Sequence, residues 1–195
     1  RLLRVAAIAV VFLAFPDVQA TELNRFERLS DGFVLSQNSV QAFAQDRSGY
    51  LWFGTQAGVE KFDGYRFESY GSDPDDPQTL SGRVARQLLV SRSGQIWVGT
   101  NRGLNRIDPD TGRVTRIGLR LSNGEIAWPP VHYGGLVEGV DGDIFAASSA
   151  GVMRWSNGGD VARPIHVSGP TRPLGRRVLR FDRAGRLWLA ARNGL

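Results

Sequence analysis

The chain has 195 residues, 24 Lys and Arg against 19 Asp and Glu, a formal net charge of +5, and no cysteine. The missing thiols exclude a disulfide framework, a thiolate metal centre and a cysteine nucleophile. The basic balance does not point to nucleic acid, because the basic residues are all arginine apart from Lys61. They are scattered through expected turns and strand faces without a dense block.

Arg1 and Arg4 precede an unbroken apolar run, Val5 to Phe15, which Pro16 and Asp17 end. Small residues at Val18 and Ala20 predict a signal peptide over 1–20, cleaved after Ala20. The run is too short to span a bilayer, which takes about 20 residues. A periplasmic location follows for residues 21–195. Phe26 to Leu29 is expected to be a spare outer strand.

From there a period organises the chain. Aromatic anchors stand at Trp52, Trp97, Phe145 and Trp188, separated by 45, 48 and 43 residues. Each has a glycine three residues before it (Gly49, Gly94, Gly142, Gly185) and another six after it (Gly58, Gly103, Gly151, Gly194). Asp46 and Asp182 open two of the turns that precede an anchor, where a carboxylate can accept backbone N–H groups.

Each unit reads as four short strands. In the first these are Val40 to Gln45, Leu51 to Thr55, Val59 to Phe62 and Tyr65 to Tyr70, with Asp63-Gly64 as a hairpin signal. The second has Val84 to Val90, Gln95 to Thr100, Leu104 to Ile107 and Arg113 to Ile117. The third has Leu136 to Val140, Ile144 to Ser148, Val152 to Trp155 and Asp160 to Ile165, and a fourth starts at Arg177. Four-stranded units of this length are the size of propeller blades. The expected fold is therefore an all-β propeller of antiparallel blades, at about 39–70, 84–117, 136–165 and 177–195. The anchors are expected to fill the space between blades. The last unit is incomplete, so the protein is expected to continue past residue 195. Residues 21–195 alone are expected to aggregate or stay partly unfolded.

The strings Gln45-Asp-Arg-Ser-Gly-Tyr-Leu-Trp-Phe-Gly-Thr55 and Gly94-Gln-Ile-Trp-Val-Gly-Thr100 resemble the two-component regulator propeller repeat. Leu35 to Val40, Phe62 to Phe67 and the link Gly71 to Ser81 resemble that family's first blade and its link to the second. The resemblance is close over 25–117 and looser over 136–195, where Phe145 replaces Trp and Ala147-Ser148 replaces Gly-Thr. It implies the N-terminal part of a periplasmic sensor domain in a membrane-bound signalling protein. The output implied is a histidine kinase or a diguanylate cyclase, the latter slightly favoured by the wording of the first blade. Neither output lies in this chain.

Catalytic constellations are poor. His132 and His166 are the only histidines and are expected in different loops, and no serine sits in a Gly-x-Ser-x-Gly elbow. Asp73, Asp75 and Asp76 lack the glycine and closing glutamate of a calcium loop. No catalytic residue, metal or cofactor is expected. A ligand should meet the loops between second and third strands and between blades. These nominate Gln56, Asn101, Arg102 and Arg192, with Trp128 and His132 in a long loop before the third blade. The arginines would suit a periplasmic anionic glycan. No nucleic-acid partner is expected, a membrane is reached only beyond residue 195, and a homodimer is compatible with the full-length protein. Two other readings stand beside the sensor: a secreted propeller enzyme, such as a polysaccharide lyase or glycosidase, and an interaction scaffold.

Overall fold

Alternation and turn chemistry produce fifteen strands, and no helix, among the residues that the computed structural model describes: 35–121, 123–156, 159–166 and 177–191. The predicted signal peptide, the strand at 26–29, Arg192 and Gly194 lie outside the described residues.

The first sheet holds β1 (Ala42–Gln45), β2 (Leu51–Thr55), β3 (Gly58–Phe62) and β4 (Phe67–Tyr70) in that order, all antiparallel. The second repeats it with β5 (Ala85–Val90), β6 (Ile96–Thr100), β7 (Gly103–Ile107) and β8 (Val114–Arg120). A two-residue β9 (Ile126–Ala127) folds back onto β8. The third unit is β10 (Val131–Glu138), β11 (Ile144–Ser148), β12 (Gly151–Trp155) and β13 (Val161–Ile165). A final antiparallel pair is β14 (Arg177–Phe181) and β15 (Leu187–Ala191).

The periodic glycines have a backbone reason. Gly49, Gly94, Gly142 and Gly185 all take left-handed φ, between 75° and 87°. L side chains rarely adopt that conformation. The same pair of backbone bonds closes all four turns, as when Asp46 N–H donates to Tyr50 O (3.0 Å) and Gly49 N–H to Asp46 O (3.1 Å).

The core lies between sheets. One cluster joins Trp52, Val59 and Tyr70 of the first unit to Leu88, Ile96 and Ile107 of the second. Another joins Trp97, Leu104 and Ile117 to Leu136, Ile144 and Trp155 of the third. A third joins Val152 to Leu179 of β14. Trp52 and Trp97 are 0% and 1% exposed and fill these interfaces. Burying one such ring contributes several kcal/mol, at about 25 cal/mol per Å2. Trp188 departs from the expectation for an anchor: it is 45% exposed.

Several strand boundaries differ from those expected, three of them for reasons visible in the bonding. β4 begins at Phe67, because Asp63 Oδ1 accepts the N–H groups of Tyr65 and Arg66 (both 2.8 Å) and holds Tyr65 in the turn. β8 runs on to Arg120, because Gly118 and Leu119 pair in parallel with Val161 and Ala162 of β13. This ladder joins the second and third sheets. β10 begins at Val131, so His132 sits in a strand and not in a loop. Its pairing runs from Val131↔Ser148 to Leu136↔Ala146 across an irregularity, within which Gly134 takes φ 70°.

Candidate functional site

The turns between second and third strands are stapled by hydroxyls. Thr55 Oγ1 donates to Gly58 O (3.1 Å) and accepts from Ala57 N–H (3.0 Å). Thr100 does the same with Gly103 O and Arg102 N–H (3.0 and 3.2 Å), and Ser148 with Gly151 O and Ala150 N–H (2.9 and 3.2 Å). This accounts for Gly-Thr in the repeat and for Ser148 as its substitute.

Of the nominated residues, Gln56 and Arg102 sit exposed in these turns. Asn101 is engaged in structure: its Oδ1 accepts Val84 N–H (3.1 Å) and its N–H donates to Val84 O (3.0 Å). Trp128 is half-exposed, with its Cβ close to Gly103. His132 is half-buried in β10. Among the described residues, no hydrogen bond or ring contact joins the Gln56, Asn101, Arg102 and Trp128 side chains to one another.

The segments leading into the first two units dock by one device. Ser36 N–H donates to Glu60 Oε1 (2.8 Å), and Ser81 N–H donates to Asn105 Oδ1 (2.8 Å). Ser36 Oγ also donates to Glu60 Oε1. Glu60 and Asn105 occupy the same place in β3 and β7 and are 2% and 0% exposed. The incoming chain thus supplies a donor to one oxygen of each buried side chain, while Glu60 Oε2 stays buried without a hydrogen-bond partner. In the third unit the place falls to Met153, which carries no such acceptor.

The acidic cluster is a set of turn caps. Asp73 Oδ1 accepts Asp75 N–H (3.0 Å), and Asp76 Oδ1 accepts Gln78 N–H (2.8 Å). Arg116 of β8 gathers this link, donating to the carbonyls of Asp73 and Asp76 (both 2.6 Å) and of Thr79 (2.8 Å). The turns before the anchors are tied by arginine instead. Arg47 donates to Arg92 O, and Arg92 donates to Val140 O (3.0 Å) and pairs with Glu138 (3.3 Å). Asp46 Oδ2 accepts Trp52 Nε1–H (2.8 Å), and Asp182 Oδ2 accepts Trp188 Nε1–H (2.9 Å). The Trp188 bond, with the N–H groups of Arg186 and Ala184 and the Arg186 guanidinium, holds the Asp182 carboxyl down at about 2.

The constellation with most chemistry lies on the first strands, which run side by side: β1 against β5, β5 against β10, and β10 against β14. Tyr133 Oη of the third unit donates to Gln41 Oε1 of the first (3.2 Å). The Arg86 guanidinium of the second lies over the Tyr133 ring, Cζ 5.5 Å from its centroid. Gln87 Oε1 accepts Gly134 N–H (2.7 Å). Three units thus meet through side chains that the sequence reading did not single out. A signal was present: Gln41, Arg86 and Arg177 each stand eleven residues before their anchors.

Sheets that bury their cores between one another, with first strands gathered along one edge, define a propeller-type domain. Its best-formed polar cluster joins Gln41, Arg86, Gln87 and Tyr133 across three units. Residues 34–57 match the family model of the two component regulator propeller. The chain carries the repeat of that family. A curated relative, histidine kinase P4 of Formosa agariphila, is 47% identical over 47 residues, 24% of this chain and 3% of that protein. The extracellular domain of a hybrid two component system from B. thetaiotaomicron superposes with TM-score 0.64 at 18% identity, covering 80% of this chain and 23% of that one. A virginiamycin B lyase from Staphylococcus aureus, solved with quinupristin, gives TM-score 0.53 at 14% identity, over 80% of this chain and 50% of that one. This chain therefore spans a small part of its curated relative and about a quarter of the hybrid-system domain. The structural likenesses show the fold, which sensors and enzymes share.

Proposed function

We propose that this chain belongs to the sensing part of a membrane-bound signal-transduction protein, folded outside the cytoplasm and recognising a ligand there without transforming it. The observation that carries this reading is the regulator propeller repeat at 34–57, set in a fold shared with an extracellular domain of a hybrid two component system. The curated relative favours a histidine kinase output over a diguanylate cyclase. The Arg-rich loops and the Arg86 edge favour an anionic ligand such as an acidic glycan.

The test pairs location with output. Alkaline phosphatase fused after residue 195 of the intact protein is expected to be active, which requires export. Membranes holding the intact protein are expected to change their rate of autophosphorylation when acidic oligosaccharides are added. A silent phosphatase fusion beside an active cytoplasmic β-galactosidase fusion would overturn the location. Turnover of the oligosaccharide would replace the sensor with an enzyme.

A further inference from the structure

We infer that the edge formed by the first strands is a carboxylate-binding site with Arg86 as its anchor. The inference deepens the sensor reading and rests on it for biological meaning, while the chemistry stands on the geometry.

Arg86 occupies a break in the β5–β6 register, between Ala85↔Thr100 and Gln87↔Gly99. Its side chain is half-buried, and its Nε is buried without a hydrogen-bond partner. Among the described residues no carboxylate lies within ion-pair distance of it, although other arginines, Arg92, Arg106, Arg154 and Arg186 among them, each have one. The Tyr133 ring supports the guanidinium from one face. Partial burial of a cation with no counter-charge is unfavourable until an anion arrives.

The neighbours leave donors facing that need. Gln41 Oε1 is occupied by Tyr133 Oη, and Gln87 Oε1 by Gly134 N–H. What each amide still offers is its NH2 group, which has no partner among the described residues. Two amide donors beside a guanidinium fork suit a planar carboxylate, which accepts two parallel bonds from arginine. Arg177 takes the matching register position at the start of β14, opposite Ala191.

The experiment is calorimetric titration of the intact protein with glucuronate, with acetate, and with the neutral methyl ester of glucuronate. Both acids are expected to bind, and the ester at least about tenfold more weakly than the acid, the loss of one charge-assisted pair. Arg86→Gln should weaken both acids by a similar factor, whereas Arg113→Gln, exposed in the turn between β7 and β8, should leave them unchanged. Arg86→Lys keeps the charge without the fork and should fall between, which guards against a folding defect in the first variant. Equal binding of ester and acid, unchanged binding by Arg86→Gln, or no binding of either acid at millimolar concentration would overturn the site. Acid binding without any change in autophosphorylation would keep the site and remove the sensor reading. An autophosphorylation response to the ester alone would do the reverse.

Discussion

The second and third units solve one packing problem with their smallest residues on opposite strands. In the second, Gly99 on β6 leaves room for the next unit: a Cβ there would stand 2.6 Å from Val131 Cγ1. Gly54 of the first unit does the same beneath Ala85, whose carbonyl would lie 3.0 Å away. The third unit has Ala147 at this place, fully buried, and the missing Cβ has moved to Gly135 on β10, where it would meet the Ala147 methyl at 2.9 Å. The aromatics differ too, in separate interfaces: Phe145 packs toward β14 and Trp155 back on the second unit. Phe145 is half-buried on β11, while Trp155 on β12 packs on Trp97 with centroids 4.6 Å apart. A unit can thus redistribute small and large residues among its strands, within its own sheet in the case of Gly135 and Ala147.

The comparison breaks most visibly at the anchors. Trp97→Ala should cost about 3–5 kcal/mol, the usual range for a buried aromatic truncated in a core. Phe145→Ala should cost clearly less, because its ring is only half-buried where it packs on Phe181, Leu179 and Arg154. Urea unfolding of the intact domain measures both, and equal losses would contradict the redistribution.

The next effect is in the glycines. Gly99→Ala and Gly135→Ala should each cost about 1–3 kcal/mol by overpacking. Adding Ala147→Gly to Gly135→Ala should recover part of the loss, giving a coupling on the order of 1 kcal/mol. Independent, additive effects would place the strain elsewhere.

The smallest effect is at the turns. Asp182 has a carboxyl depressed from 3.8 to about 2, chiefly by its bond from Trp188. A depressed carboxyl stabilises the fold above its unfolded value, so this contribution is complete above about pH 4 and is lost as pH falls through about 2. The matching turn of the third unit begins at Gly139, so its opening position carries no carboxylate, although Asp141 and Asp143 follow in the same turn. Exchange of the Trp188 indole N–H should accelerate across that window, and Asp182→Asn should flatten the profile. A profile unchanged by the substitution would exclude Asp182 as the cause.

Much of this was legible in the sequence. The period, the left-handed glycines and the aspartates at 46 and 182 each follow from local turn chemistry, which adjacent residues encode. The edge where Gln41, Arg86 and Tyr133 meet depends on contacts between units, and the irregularity in β10 shifts Tyr133 out of the repeat position. With the third unit expected to start at Leu136, His132 falls in the loop before it, whereas pairing of Val131 with Ser148 carries the strand past it. Asn101 is a candidate ligand-binding loop residue by its position, but its side-chain oxygen accepts Val84 N–H, a contact that no spacing rule reveals. The binding roles of Gln56, Arg102, Trp128 and His132 remain proposals.

The parallel ladder between β8 and β13 has a consequence for ancestry. Repeat arrays grow by copying units that contact only their neighbours through side chains. Here Gly118 and Leu119 share backbone bonds with Val161 and Ala162 of the following unit. A recombination that excised either unit would leave a bare strand edge on the other. Losing one of the two would therefore cost the other backbone hydrogen bonds as well as packing.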